Sequence, residues 1–306
     1  MDVTEDGNKP TAPNSRTTFR NLKRARSKDV TDDRNKRTPR NFLIIFSNSL
    51  SWLVIAFLFM YLITQFAVAI AAMQFDFNSV IYYYSLIWGI DSRAWTSDAV
   101  KMLYSIAPGL GLFLGIMALL IYIQMYDSLA YFKIFFLWCF AYAIIWSFGA
   151  MLAGTILDKG FGYVVMYFYI KDTGKLVMTL IALTMLLLVS TLTVKWFLFS
   201  ANSYFNQLNE YNRSFFTFAG VILPLIAGTF IMILVKLPKI AYYELFVLLT
   251  GLLFALPILL RYKSMPTFFF DEFPITIKLD KVALVSAIIF LIAFRVVFEF
   301  GIRISV

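Results

Sequence analysis

Long runs of apolar residues recur along most of this chain, and shorter stretches that hold the charges, prolines and glycines separate them. A bilayer hydrocarbon core about 30 Å thick is crossed by about 20 residues in helical form. Each apolar window is long enough to be a transmembrane helix. The windows lie at residues 50–73, 102–125, 134–157, 176–200, 215–235, 241–260 and 282–303.

This pattern predicts an all-α fold, a polytopic transmembrane helix bundle of about seven spans. Four of the windows contain no Asp, Glu, Lys or Arg and predict spans most strongly. The window at 241–260 contains Glu244, and the window at 282–303 contains three charged residues, so these two are weaker. If one of them is not a full span, the side on which the C-terminus lies is reversed.

Residues 1–42 have a different character. They are rich in Asn, Thr, Pro and charged residues, with eleven Lys and Arg against six Asp and Glu. Their few large apolar side chains cannot offset the entropy of ordering. We therefore predict a disordered N-terminal tail at residues 1–42 and a transmembrane helical domain at residues 43–306.

The basic residues of this tail precede the first span and have two interpretations. They can orient the chain, or they can attract anionic lipid, at about 1 kcal/mol per residue near the membrane surface. Acidic residues mixed among them dilute the field, and nothing supports binding to nucleic acid. The basic residues are Lys23, Arg24, Arg26, Lys28, Arg34, Lys36, Arg37 and Arg40.

Basic residues beside the first span favour the cytoplasmic side, which places the N-terminus in the cytoplasm. The other loops show no bias, with seven Lys and Arg on the predicted inner side against eight on the outer side. The only Asn-x-Ser/Thr acceptor, Asn212, falls in a predicted cytoplasmic loop, so nothing indicates a glycosylated exterior. We predict an integral protein of a bacterial inner membrane.

The composition of the chain excludes several kinds of chemical site. The chain is 60% apolar with a mean hydropathy of +0.76, has no histidine, and has Cys139 as its only cysteine. An intrachain disulfide, a histidine-based metal site and histidine ligation of haem are therefore excluded. The motifs of hydrolases, P-loop proteins and dinucleotide-binding enzymes are absent. We assign no catalytic, cofactor-binding or metal-binding residue and expect no cofactor.

Small residues at four-residue spacing occur in two of the strongest windows. Their missing side chains let another helix approach closely, either within the chain or from a partner subunit or lipid. The pairs are Gly111 with Gly115, Gly149 with Ala153, and Ala150 with Gly154.

Pro224 lies in the middle of the window at 215–235, where it removes one backbone hydrogen bond and kinks the helix. Broken helices of this type line solute sites in transporters. A proline in a membrane helix can also be no more than a bend for packing. No charged residue lies in that window to accompany the break.

Arg295 and Glu299 are four residues apart and predict an ion pair on one helical face. The pair is either a functional intramembrane pair or two side chains that reach the outer interface. Among the other acids, Glu244 has no partner at helical spacing. The polar residues expected at mid-membrane depth are neutral. They are Gln65, Thr179, Thr184, Ser190, Thr191 and Thr193.

Two functional classes follow. The first is a non-catalytic subunit or scaffold of a larger membrane protein assembly, whose partners are lipids and other membrane subunits. The second is a transporter or channel for a small or lipophilic solute. Few charges at depth and many small residues favour the first.

Overall fold

The computed structural model describes residue 33 and residues 36–125, 127–270 and 276–305. Nine α-helices are present in these residues, and a π-helical segment at Phe218–Ile222 joins the sixth to the seventh. The helices are α1 Pro39–Met73, α2 Ser97–Met125, α3 Lys133–Leu157, α4 Phe161–Tyr167, α5 Asp172–Phe199, α6 Glu210–Thr217, α7 Leu223–Lys236, α8 Tyr242–Arg261 and α9 Lys281–Glu299.

Seven helical segments of the described chain are long and apolar enough to cross a membrane. The segment α6–α7 counts as one span, and the short helix α4 is not a span. The fold class predicted from the apolar windows is thus confirmed, including the two weaker windows. The chain is a multi-pass membrane protein of the all-α class.

Successive spans run in opposite directions, which defines two ends of the bundle. The tail end carries residues 36–38, 127–132, 200–209, 262–270 and 276–280. The far end carries the connections between α1 and α2, between α3 and α5, and between α7 and α8, together with the residues after α9.

The first span begins earlier than predicted. Thr38 caps α1, its hydroxyl accepting from the backbone N–H of Asn41 at 3.2 Å, and Pro39 occupies the first turn. Asp33 is buried, and its carboxylate accepts from the backbone N–H groups of Asn206 and Gln207. Helix α1 thus begins at Pro39, among the residues assigned to the tail, because the cap at Thr38 and the buried carboxylate of Asp33 fix the chain there.

The basic residues predicted to lie in the tail fall partly inside and partly outside the described residues. Lys36, Arg37 and Arg40 lie at the tail end, and Lys36 pairs with Asp33 at 3.0 Å. The other five lie outside the described residues. They are Lys23, Arg24, Arg26, Lys28 and Arg34.

Helix α3 is the centre of the bundle, with 83% of its span buried against α1, α2, α5 and α8. The spans formed by α2, α5 and α9 are only 22%, 28% and 22% buried. Their uncovered sides are apolar, which suits contact with lipid tails.

The predicted small residues lie in contacts between helices of this chain. A Cβ atom on Gly115 would come within 2.2 Å of Ala143 Cβ, and one on Gly149 would come within 2.2 Å of Thr250 Oγ1. A Cβ on Gly111 would meet Thr64, while one on Gly154 would meet the backbone of α4. The partners Ala150 and Ala153 are buried in α3 as well. Other helices of this chain therefore occupy the faces that carry these small residues.

Pro224 is the second residue of α7, which follows the π-helical segment directly, and it is buried. Because proline has no N–H, the carbonyl of Gly220, four residues earlier, loses its usual helical donor. The hydroxyl of Ser49 in α1 donates to this carbonyl at 2.6 Å and also accepts from the indole N–H of Trp138 at 3.1 Å. A side chain of the neighbouring span thus supplies a donor to the carbonyl that Pro224 leaves without one.

Two small sheets close the ends. At the far end, β1 (Ser79–Ile81) pairs antiparallel with both β2 (Leu86–Trp88) and β5 (Ile302–Ile304). At the tail end, β3 (Gln207–Leu208) pairs antiparallel with β4 (Phe268–Phe269).

The predicted end of the last window at residue 303 is wrong. Helix α9 stops at Glu299, and Gly301 turns the chain with a φ of +74°, a conformation that glycine adopts without strain. Arg303 then pairs with Val80 in the far-end sheet instead of lying in the span.

The close approach of α2 to α3 gives a matched pair of glycine variants. Gly115→Ala should lower the free energy of unfolding in detergent by about 1–3 kcal/mol, since the added methyl would overlap a rigid neighbour. Gly109→Ala in the same helix meets nothing within 4 Å and should leave stability unchanged or slightly raised. The measurement is thermal or denaturant unfolding of both variants, and equal effects would contradict the contact.

Candidate functional site

An ion pair is buried between consecutive spans near the far end. Lys236 is the last residue of α7 and Glu244 the third residue of α8, so that the short connection at residues 237–241 brings them together. The ammonium of Lys236 donates to Oε2 of Glu244. The two residues are 1% and 8% exposed. Glu244 has no partner at helical spacing within its own window, and its partner instead lies across the hairpin, at the end of the preceding span.

Aromatic rings surround the ammonium of Lys236. Its Nζ lies 3.8 Å from the centroid of the Tyr61 ring and 5.9 Å from that of Trp146. Such cation–π contacts replace part of the hydration that the ammonium loses on burial. The hydroxyls of Tyr61 and Tyr142 are buried nearby and have no hydrogen-bond partner among the described residues. These two hydroxyls can therefore form further hydrogen bonds beside the charges of Lys236 and Glu244.

The depth of the pair follows from the contacts of α9. Tyr61 packs against Phe294 with ring centroids 6.0 Å apart, and Phe66, further along α1, packs against Phe298. Phe294 is five residues before the end of α9, which corresponds to about 7.5 Å along a helix. The pair thus lies inside the span region, and ionisable groups there are a mark of function.

A cavity of about 270 Å³ opens beside the pair. Four spans, α1, α2, α3 and α8, supply walls, and β2 and the connection containing α4 cover it from the far end. Its polar lining consists of Gln65, Ser85, Lys159 and Glu244. Its aromatic lining consists of Trp88, Tyr104, Trp146, Phe161, Tyr163 and Tyr243.

This lining sets what the cavity can hold. Its volume is close to the lower limit of ordinary small-molecule sites, about 300 Å³. Aromatic faces bind apolar groups and cations, while Glu244 supplies a carboxylate and Lys159 an ammonium. A small amphipathic molecule fits this combination. We refer to the cavity and the Lys236–Glu244 pair together as the far-end site.

Among the neutral polar residues predicted at depth, only Gln65 lines this cavity in the described structure. Thr179 instead shares a hydrogen bond with Thr155, and the hydroxyl of Ser190 donates to the carbonyl of Phe254. Thr191 bonds to the preceding turn of its own helix. These hydroxyls are therefore used in packing.

The predicted pair Arg295–Glu299 forms, with 3.4 Å between Nη2 and Oε2. The side chains are 38% and 47% exposed, and the guanidinium lies 3.5 Å from the ring centroid of Tyr83 in the far-end connection. It is a peripheral pair, separate from the far-end site. No group of three or more Cys, Asp or Glu side chains is arranged to hold a metal ion in the described part of the chain.

No family model matches this chain, and neither the curated proteins nor the solved structures give a significant match. The interpretation of function rests on the geometry of the site.

Sequence reasoning missed the central residues of the site. In the sequence, Lys236 falls just outside the apolar window at 215–235, and Glu244 has no partner at helical spacing within its own window. The signal available was a lysine and a glutamate flanking the shortest connection between two apolar windows. Antiparallel neighbouring helices place such residues side by side.

The two ion pairs allow a matched test. Glu244→Gln leaves the ammonium of Lys236 buried without a counter-charge and should lower the free energy of unfolding by about 3–5 kcal/mol. Glu299→Gln breaks an exposed pair and should cost less than about 1 kcal/mol. The double variant Lys236→Met with Glu244→Gln should recover much of the loss. Unfolding in one detergent compares all three, and a small loss in Glu244→Gln would contradict the buried pair.

Proposed function

We propose that this multi-pass membrane protein is a transporter for a small amphipathic solute, which it binds in the far-end site. The observation that supports this most directly is that Glu244 belongs both to the buried ion pair and to the lining of the cavity. A carboxylate at that position reaches a bound molecule without leaving its partner. Charged groups at such depth are expensive and are characteristic of solute or ion pathways.

The chemistry of the cavity favours a solute with an apolar body and a zwitterionic head, because the lining holds both the carboxylate of Glu244 and the ammonium of Lys159. Its aromatic walls include Trp88 and Tyr104, and Glu244 is the only acidic residue in the lining described. The cationic group of such a head would share Glu244 with Lys236, whose ammonium keeps the ring of Tyr61 as a second partner. Binding would then weaken the Lys236–Glu244 pair, which is a local change that solute occupancy can couple to movement of α7 against α8.

A role as a subunit of a larger membrane assembly is our second proposal. The small-residue faces on which it rested are filled by helices of the same chain. In its favour, α5 presents a largely uncovered apolar side with Leu176, Leu180 and Leu188 exposed. The native mass of the gently extracted particle tests this role, because a monomer without co-purifying protein would contradict it.

We also propose that the tail end faces the cytoplasm of a bacterial inner membrane. Lys36, Arg37 and Arg40 lie at that end, in agreement with the rule that basic residues stay inside. Asn212, the only glycosylation acceptor in the sequence, is 1% exposed and its amide donates to the carbonyl of Gln207. It is therefore inaccessible to a glycosyl transferase in the folded protein.

Solute movement can be measured in proteoliposomes with radiolabelled phenylalanine, a small aromatic zwitterion, as the probe. The wild-type protein should accelerate its uptake, and Gln65→Leu should reduce the protein-dependent rate at least about tenfold by removing a polar contact in the cavity. Thr184→Val is the matched control, because Thr184 is a neutral polar residue of a span outside the cavity. Uptake equal to that of protein-free vesicles, or equal loss in both variants, would contradict the proposal.

A further inference from the structure

A second, larger pocket lies at the tail end, on the opposite side of the bundle from the far-end site. Its volume is about 1000 Å³. Arg37 just before α1, helix α6, the π-helical segment and the turn after α8 all contribute to its walls. We call it the tail-end pocket and define it by Arg37, Phe42, Arg213, Phe218 and Lys263.

The rim of the tail-end pocket is basic. Arg37, Arg213 and Lys263 line it, and Glu210 is the single acid among the lining residues described. Three cationic side chains come from three separate parts of the chain, so their meeting is a property of the fold. This excess of positive charge attracts an anionic group.

The two arginines offer unused donors. Arg213 is 4% exposed, and its Nη1 donates to the carbonyls of Tyr262 and Lys263 at 3.3 and 2.8 Å, which fixes the guanidinium in place. Its Nε, and the Nε of Arg37, are buried without a hydrogen-bond partner among the described residues. A buried guanidinium N–H is rarely left unpaired. Both guanidinium groups therefore place positive charge and unmet hydrogen-bonding capacity at the wall of the pocket.

Below the rim, the pocket becomes apolar. Phe218 and Leu223 line it and are 40% and 37% exposed on the outer side of the bundle. Leu223 is thirteen residues beyond Glu210, a separation of about 20 Å along a helix. The pocket therefore runs from the basic rim down a lipid-facing surface. A free inorganic anion would use only its upper part, whereas a phospholipid has both a charged head and an acyl chain.

From this arrangement we infer that the tail-end pocket binds an anionic phospholipid of the surrounding bilayer, with its phosphate at Arg37, Arg213 and Lys263 and an acyl chain along Phe218 and Leu223. This site is independent of the solute proposed for the far-end site. It also gives Arg37, predicted as part of a lipid-attracting tail, a defined position beside two residues that the sequence did not connect with it.

Native mass spectrometry of the full chain, reconstituted in nanodiscs of mixed phosphatidylglycerol and phosphatidylcholine and then released, tests the inference. The wild type should retain phosphatidylglycerol in preference to phosphatidylcholine. Arg37→Gln and Lys263→Gln should each weaken this retention about tenfold, since each removes one charge-assisted contact. Both avoid Arg213, whose carbonyl contacts support the local fold.

Arg261→Gln is the matched control, because Arg261 is exposed, lies two residues from Lys263 and does not line the pocket. It should retain phosphatidylglycerol like the wild type. Equal loss in Arg261→Gln would show general attraction to the surface and overturn the inference. Displacement of the bound lipid by millimolar glycerol 3-phosphate would do so as well, since it would assign the site to a soluble anion. Wild-type protein without headgroup preference would also overturn it.

Discussion

The close packing of small residues around α3 is the contact on which the rest of the bundle depends. Gly115 of α2 meets Ala143 of α3, and Gly149 of α3 meets Thr250 of α8, at distances that any larger side chain would prevent. In lipid, apolar side chains gain little by leaving one apolar environment for another, so helices associate through such close contacts. These contacts hold α2 and α8 against α3, and the walls of the far-end cavity come from these same helices and α1.

The second requirement of a membrane interior is that backbone polar groups find partners inside the protein. The span containing Pro224 meets this requirement through Ser49 of α1, which donates to the carbonyl of Gly220. Ser147 of α3 donates to the carbonyl of Pro108 itself, in α2, at 2.6 Å. In both places a serine hydroxyl of one span bonds to the backbone of another span beside a proline. Packing and hydrogen bonding therefore select the same neighbours.

The spans could be predicted from sequence because the hydrocarbon core imposes a length and a composition on each one separately. The window at 282–303 was weakened by its charges, and it is a span whose helix ends at Glu299, before Arg303. The residues at which helices begin and end, at caps and turns, were harder to predict from sequence. Glycine at 301 and the cap at Thr38 act locally, and an apolar window carries no information about them.

The sites were harder to predict, because both are assembled from residues distant in the chain or across a turn. Gln65 appeared in the sequence as one of several neutral residues at depth, and only the fold separates it from Thr184. The meeting of Arg37, Arg213 and Lys263 has no trace in any single window. A prediction that treats spans one by one finds helices, but it cannot find the pockets between them.

The short connection between α7 and α8 affects how the protein is inserted into the membrane. Lys236 and Glu244 are carried by consecutive spans with only residues 237–243 between them. Each charge alone would raise the free energy of inserting its helix, by about 2.5–3.5 kcal/mol at the centre of a bilayer and by less near its surfaces. Because the two helices form a hairpin, they can leave the translocation machinery together with their charges already neutralised. The pair that marks the far-end site thus also removes an obstacle to its own insertion.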